Sequence, residues 1–380
     1  MGKTICIMAL SDLSWDIRVR KHIRNLKDLG DVTVVDYGPS RIVGIKEITL
    51  SFPEPLSFPK KIIYGFMMFS GHSKSRYWRE NRETYEVLKD KRFDLFIANN
   101  LIVLPLAIKL AEKNNAKVIL DAHEYSPLEW ANRFYWKFTF QKFYNYIGKK
   151  YLTKLDHMFT VCEGIAEKYK EQFGVGSDIL MNVPNYTKID FKSTPLDKIK
   201  LIHHGDAIPD RKMEVMIEMM KFLDKRYELH FMLLQNNTPY LNKLKKLAIK
   251  ISPEKIFFHK PVSPDMVITK ISQFDIGLFL LIPNNFNDKF ALPNKFFDFI
   301  MAGLAIAIGP SWEMKKIVKK YNCGVISSDF SAKSLANKLN SLTPKKIDGY
   351  KRNSLNAAKI LNADSEWQKL TNVVEDLLKD

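Results

Sequence analysis

The sequence predicts an α/β protein made of two doubly wound parallel-sheet domains in tandem. Two observations carry this. Short apolar runs alternate with helix-period segments along nearly the whole chain, the pattern of a sheet whose strands are joined by crossover helices. The alternation also begins anew near residue 200, after a Pro- and Asn-rich stretch from Asn182 to Pro195 that reads as a linker. A chain of 380 residues, 46% hydrophobic and 27% charged, has the length and balance for two such cores.

In the first half, Thr4 to Leu10 is a buried strand. Ile17 to Leu29 is a helix, with Ile17, Val19, Ile23, Leu26 and Leu29 near a 3.6-residue period, and Gly30 stops it. Val32 to Val35, Phe93 to Ala98, Lys117 to Leu120 and His157 to Val161 are further strands. In the second half the strands are Lys200 to His203, His230 to Leu234, Ile256 to His259, Ile276 to Leu280, Leu304 to Ile308 and Gly324 to Ile326. Continuous apolar runs such as Leu304 to Ile308 suit parallel strands covered on both faces. Ligands in such sheets bind at the carboxyl ends of the strands, so a cleft between the domains is the expected site.

Several classes are excluded. No Gly-x-Gly-x-x-Gly follows a strand and no Gly-x4-Gly-Lys-Ser/Thr occurs, which removes the simplest dehydrogenase and P-loop readings. Cys6, Cys162 and Cys323 are few, odd in number and far apart. They argue for a reducing compartment and against a disulfide frame or a zinc site. The first apolar run is too short for a signal peptide, and no run approaches the roughly 20 apolar residues of a membrane span. The reading is a cytosolic protein without a spanning helix.

The net charge of +17 favours an anionic partner: a phosphorylated substrate, a membrane surface or nucleic acid. A lysine-rich composition alone gives the same number. From Arg133 to Lys154 there are six basic residues and no acidic one, interleaved with nine aromatic rings from Phe134 to Tyr151. A second such stretch, Lys60 to Arg79, includes Tyr64, Phe66, Phe69, Lys74, Tyr77 and Trp78. Cations among rings suit a bilayer interface or a nucleic acid. Some of these rings are equally the buried face of a helix.

Four segments carry candidate chemistry. Leu292 to Gly309 reads as a polar turn, a helix entered through Pro293, a stop at Gly303 and a buried strand. Asn294, Lys295 and Asp298 lie on the helix's first turns, where free N–H groups and the dipole can hold a phosphate. An ordinary αβ unit with a polar cap fits the same residues. His203 to Lys212 places Gly205 after a strand and the pair Arg211, Lys212 before a helix from Met213, so the pair can neutralise a diphosphate or stay a solvated surface pair. Val118 to Pro127 ends a strand with Asp121, His123 and Glu124. A lone histidine there is either structural or part of a site. In Ser11 to Arg18, Asp16 and Arg18 are weaker candidates, and Asp16 is equally a helix cap.

Taken together, these segments resemble the GT-B glycosyltransferases, specifically retaining glycosyltransferase family 4. Asn294, Lys295 and Gly303 match the family's Pro-Asn-Lys segment, with Asp298 at the usual glutamate, Ala305 where proline is frequent and Phe290 where a second glutamate often stands. Gly205, Arg211 and Lys212 match its diphosphate-gripping loop, with Asp206 in place of the first arginine. Asp121, His123 and Glu124 match its Asp-x-His-Glu element. The resemblance implies an acceptor domain over residues 1–188, joined by a crossing helix at 365–380, and a nucleotide-sugar domain over 196–364. It implies donor binding by Gly205, Arg211, Lys212, Asn294, Lys295 and Asp298, with His123, Arg211 and Lys295 in the catalytic roles. Asp16, Arg18 and Glu124 would face the cleft or acceptor.

The implied activity is transfer of a hexosyl or N-acetylhexosaminyl group, with retention and without a metal or cofactor. The donor would be a UDP- or GDP-sugar, and the acceptor a lipid-linked molecule or surface polysaccharide. The enzyme would be cytoplasmic and peripheral at the inner face of an anionic membrane, with nucleic acid the less favoured partner. Two alternatives stand beside it. The basic charge suggests a GT-B enzyme acting on DNA or another soluble acceptor. Phe290 and Asp298 suggest a nucleotide-sugar-binding protein without chemistry.

Overall fold

The computed structural model describes residues 2–51, 74, 77–78 and 81–379. Most of the basic aromatic stretch from Lys60 to Arg79 lies outside these residues. The chain divides into two compact units, Met1–Met181 with Asn285–Asn287 and Trp367–Asp380, and Asn182–Asn284 with Asp288–Glu366.

The first unit holds a seven-stranded sheet. Its strands are β1 (Thr4–Met8), β2 (Asp31–Asp36), β3 (Lys46–Thr49), β4 (Leu95–Asn99), β5 (Lys117–Ala122), β6 (His157–Thr160) and β7 (Asp178–Ile179). Their order is β3-β2-β1-β4-β5-β6-β7 and every pair is parallel. The second unit holds β8 (Ile199–Asp206), β9 (Tyr227–Leu234), β10 (Ile256–His259), β11 (Ile276–Phe279), β12 (Ala305–Ile308) and β13 (Gly324–Ile326). Their order is β10-β9-β8-β11-β12-β13, again parallel. Both sheets reverse direction of winding beside their first strand, at β1/β4 and at β8/β11. Such a switch point opens a crevice beyond the carboxyl ends of the strands.

Burial explains the strands that were easy to read. β4 and β12 are buried at every residue, as two-sided helical cover requires. β3 and β7 escaped the sequence because nothing apolar marks them. β3 is Lys-Glu-Ile-Thr at the sheet's edge, with no residue buried, and β7 is two residues long.

The first helix, α1 (Ile17–Leu26), ends earlier than its periodicity suggests. Gly30 is not its stop. A Cβ on Gly30 would lie 2.3 Å from the carbonyl oxygen of Lys3, so glycine serves the close approach of two backbone segments. Gly303 does have the expected role. It follows the helix α4 (Asn294–Met301, below) with φ +69°, the left-handed stop that favours glycine.

The basic aromatic segment forms two helices, α2 (Phe134–Phe138) and α3 (Phe140–Tyr151). Trp136, Phe143 and Tyr151 are buried, so part of the ring set is core. Phe134 and Tyr135 are exposed, as are Arg133, Lys137, Lys142, Lys149, Lys150 and Lys154. The last helix, α5 (Ala363–Lys379), belongs to the first unit from Trp367 onward. No helix among the described residues is long and apolar enough to cross a membrane.

Candidate functional site

At the carboxyl end of β5, in the first unit, Asp121 is buried and surrounded by donors. Arg18 on α1 grips it with both prongs, Nε to Oδ2 at 2.7 Å and Nη2 to Oδ1 at 2.6 Å. His22 Nε2 stands 3.1 Å and His123 Nε2 3.2 Å from Oδ2. Burial alone would raise the Asp121 pKa. The opposing charge of Arg18, aided by His123 and His22, holds the carboxyl well below its usual range. Burial pulls the His22 pKa down, so this ring tends to stay neutral.

These contacts reassign two sequence candidates. Arg18 is turned inward on Asp121 and is buried, which removes it from direct contact with an acceptor. Asp16 caps α1: its Oδ1 accepts from Val19 N–H at 3.1 Å and its Oδ2 from Ser11 at 3.1 Å. A cap leaves little of this carboxylate for a ligand.

His123 and Glu124 line a recess of about 250 Å³ with Asn100, Ser126, Glu129 and Tyr144. Asn100 holds the left-handed conformation, φ 72°, and its Oδ1 accepts from the His123 N–H at 3.4 Å. Glu124 is exposed, and its Oε2 accepts from Asn287 Nδ2 at 3.2 Å. Burial raises the Glu129 pKa.

In the second unit, Gly205, the second-last residue of β8, has φ +105°. A side chain there would be strained, and its Cβ would meet Lys295 Nζ at 3.1 Å. Lys295 belongs to the first turn of α4, whose N-cap, Pro293, offers no side-chain cap to the opening N–H groups. Lys295 is buried, 6% exposed. Burial, then Arg211, lower its pKa to about 7, against the opposing pull of Asp206 and Asp298. Its Nζ lies 3.3 Å from His203 Nε2, while His203 Nδ1 lies 2.9 Å from the Leu278 carbonyl oxygen. The carbonyl can only accept, so Nδ1 carries the proton and Nε2 accepts from Lys295. Burial and Lys295 keep His203 neutral, its pKa well below the usual value.

The other donor-site candidates gather unevenly around Lys295. His204 Nε2 lies 3.5 Å from Asp298 Oδ2, and burial with Lys295 lowers the His204 pKa to about 3. Arg211 sits in a tight turn, Pro209–Arg211, and is half-buried, its pKa depressed first by burial. Lys212 follows with φ 46° and an exposed side chain, before a helix of five residues, Glu214–Glu218. Asp206 accepts from Asn236 at 2.7 Å. Asn294 is exposed at the helix start. Phe290, where a glutamate is frequent, packs its ring against Trp312 at 6.3 Å. No group of three or more His, Cys, Asp or Glu among the described residues is placed to hold a metal.

Sequence reading missed His22, Asn100 and His203, and gave Asp121 no role of its own. Only Asp121 left a signal: residues two apart on a strand share a face, and His123 follows it by two.

In structure the chain is similar to sucrose-phosphate synthase (tll1590) from Thermosynechococcus elongatus, with a TM-score of 0.72 and 12% identity, covering 99% of this chain and 99% of that one. It is also similar to Anabaena Alr3699/HepE in complex with UDP, at a TM-score of 0.70 and 9% identity over 98% and 100% of the two chains. The lipopolysaccharide outer core galactosyltransferase WaaB aligns at 0.66 and 11% identity over 98% and 99%. No protein-family model and no curated protein sequence matches. At such identities the likeness establishes the architecture: the chain has the GT-B fold, two doubly wound parallel-sheet domains.

Proposed function

We propose that this chain is a glycosyltransferase that moves a hexosyl or N-acetylhexosaminyl group from a nucleoside diphosphate sugar to a lipid-linked or polysaccharide acceptor at a membrane face, with retention and without a metal. The observation that carries the reading is the buried Lys295 beneath Gly205. A cation that burial strips of water, beside an uncapped helix start, is poorly satisfied until an anion arrives. The structural neighbours support a nucleotide sugar as that anion's source: HepE was solved with UDP and with UDP-glucose.

In this reading Lys295, Arg211 and Lys212 take the charge that grows on the diphosphate as the glycosidic bond breaks. The N–H groups of Asn294 and Lys295 add a positive helix end, Gly205 leaves room for the phosphate, and Asp298 accepts from ribose hydroxyls. The first unit supplies His123 for the transferred sugar and Glu124 for the acceptor side. The exposed cations of α2 and α3, with Phe134 and Tyr135, support a site at an anionic bilayer.

The test is incubation with a panel of nucleotide sugars, following released nucleoside diphosphate, beside a thermal-shift series with UDP and GDP. Stabilisation with release supports the enzyme. Stabilisation without release with any sugar tried supports a binding protein, and no stabilisation at millimolar nucleotide removes the donor site.

A further inference from the structure

We propose that Asp121 is a positioning residue for His123: it holds Nε2 of the imidazole, so that Nδ1 is the nitrogen offered to a hydroxyl of the transferred sugar. This rests on the glycosyltransferase reading for the identity of the ligand, but not for the geometry.

Asp121 is held by two residues of α1. Arg18 and His22 stand one helical turn apart on α1, so both reach the same carboxylate. The two-pronged grip of Arg18 sets the carboxylate plane. His22 is itself wedged: its ring meets the buried Trp367 of α5 edge-on, centroids 5.0 Å apart at 74°. The carboxylate therefore has little freedom to turn. A neutral imidazole carries one proton, and the nitrogen beside a carboxylate is where that proton is favoured. Nε2 of His123, 3.2 Å from Oδ2, is that nitrogen. It makes no well-aligned hydrogen bond, and such contacts commonly tighten when substrate binds.

A purely structural ion cluster would not need His123, because Arg18 already takes both oxygens. Exposure separates the three partners. The side chains of Arg18 and His22 are 5% and 0% exposed, while that of His123 is 20% exposed and lines the 250 Å³ recess. The cluster thus presents one adjustable face to solvent. A sugar hydroxyl that donates to Nδ1 would find an acceptor whose direction is set from beneath.

Two measurements test this. Long-range ¹H–¹⁵N correlation spectra of the native chain at mildly alkaline pH report the tautomer of each histidine. Protonation at Nε2 of His123 is expected, and protonation at Nδ1 overturns the proposal whether or not any variant folds. Turnover is then compared in Asp121→Asn, His123→Ala and the double variant, using a nucleotide sugar the native chain consumes. Asp121→Asn should lower kcat on the order of 100-fold, as a misplaced group of about 1 Å can, with little change in donor KM. In the His123→Ala background the same change should cost almost nothing further. Equal losses in both backgrounds mean that Asp121 acts on the fold alone, and overturn the proposal. A native chain that consumes no nucleotide sugar defeats the enzyme reading, while the tautomer still decides the geometry.

Discussion

The two units share one winding order, yet their candidate sites have opposite electrostatic designs. The first buries an anion, Asp121, among nitrogens of three residues, Arg18, His22 and His123. The second buries a cation, Lys295, against a neutral histidine and near the like charge of Arg211. One centre pairs its buried carboxylate with the Arg18 guanidinium and is suited to holding a geometry. The other holds an amine whose pKa burial lowers to about 7, and is suited to receiving an anion that restores its charge. A shared winding order thus supplies corresponding places at the strand ends, and the side chains decide whether a place is a brace or a receptor.

The largest expected effect tests the brace. Asp121→Ala leaves Arg18 buried without its partner and should cost about 3–5 kcal/mol of stability by denaturant titration. Lys295→Met, by contrast, removes a penalised charge and should leave the empty protein about as stable or more so, while abolishing the thermal shift with nucleoside diphosphate. That shift in the native chain corresponds to roughly 2.7 kcal/mol at about 100 times the dissociation constant. A Lys295→Met variant as damaged as Asp121→Ala would break the comparison.

The next effect is pH dependence. Burial lowers the Lys295 pKa to about 7, against an ordinary 10.5. Between these values the unfolded chain binds a proton that the native one lacks, so stability of the empty protein rises with pH across the window. A diphosphate favours the ammonium form. Its binding should therefore take up a proton above about 7, and affinity should fall as pH rises, by up to roughly tenfold per unit. Calorimetry in buffers of different ionisation enthalpy reads the proton count directly. Lys295→Met should erase this uptake, and Asp121→Asn should not.

Gly205→Ala should cost about 1–3 kcal/mol, because alanine at φ +105° is strained. It should also weaken nucleotide binding by displacing Lys295 Nζ. Unchanged nucleotide affinity would separate Gly205 from the receptor.

The smallest effect on stability is expected at the surface. Replacing Lys137, Lys142 and Lys149 with glutamate should alter folding by no more than about 0.5 kcal/mol. Binding to anionic liposomes should nevertheless drop by on the order of 1 kcal/mol per lost cation. If the native chain prefers duplex DNA to anionic liposomes at one ionic strength, the bilayer acceptor is the wrong choice.

Much of the architecture was written locally. The run from Leu304 to Ile308 and the stop at Gly303 needed no partner to be read, because apolar run length and backbone permissiveness are properties of neighbours in sequence. Where a strand has no such mark, as in the polar edge strand β3, pairing with β2 alone defines it.

The sequence by itself determined the alternation of elements, the restart near residue 200 and the identity of Lys295, Gly205 and His123 as candidates. Tertiary structure decided what those residues are chemically. Arg18 finds Asp121 from 103 positions away and becomes part of the frame. Lys295 meets His203 across 92 positions, in surroundings dry enough to pull its proton affinity down. Periodicity records which face of an element is apolar. It does not record how much water a charge keeps or which charge stands opposite, and those two quantities set a pKa.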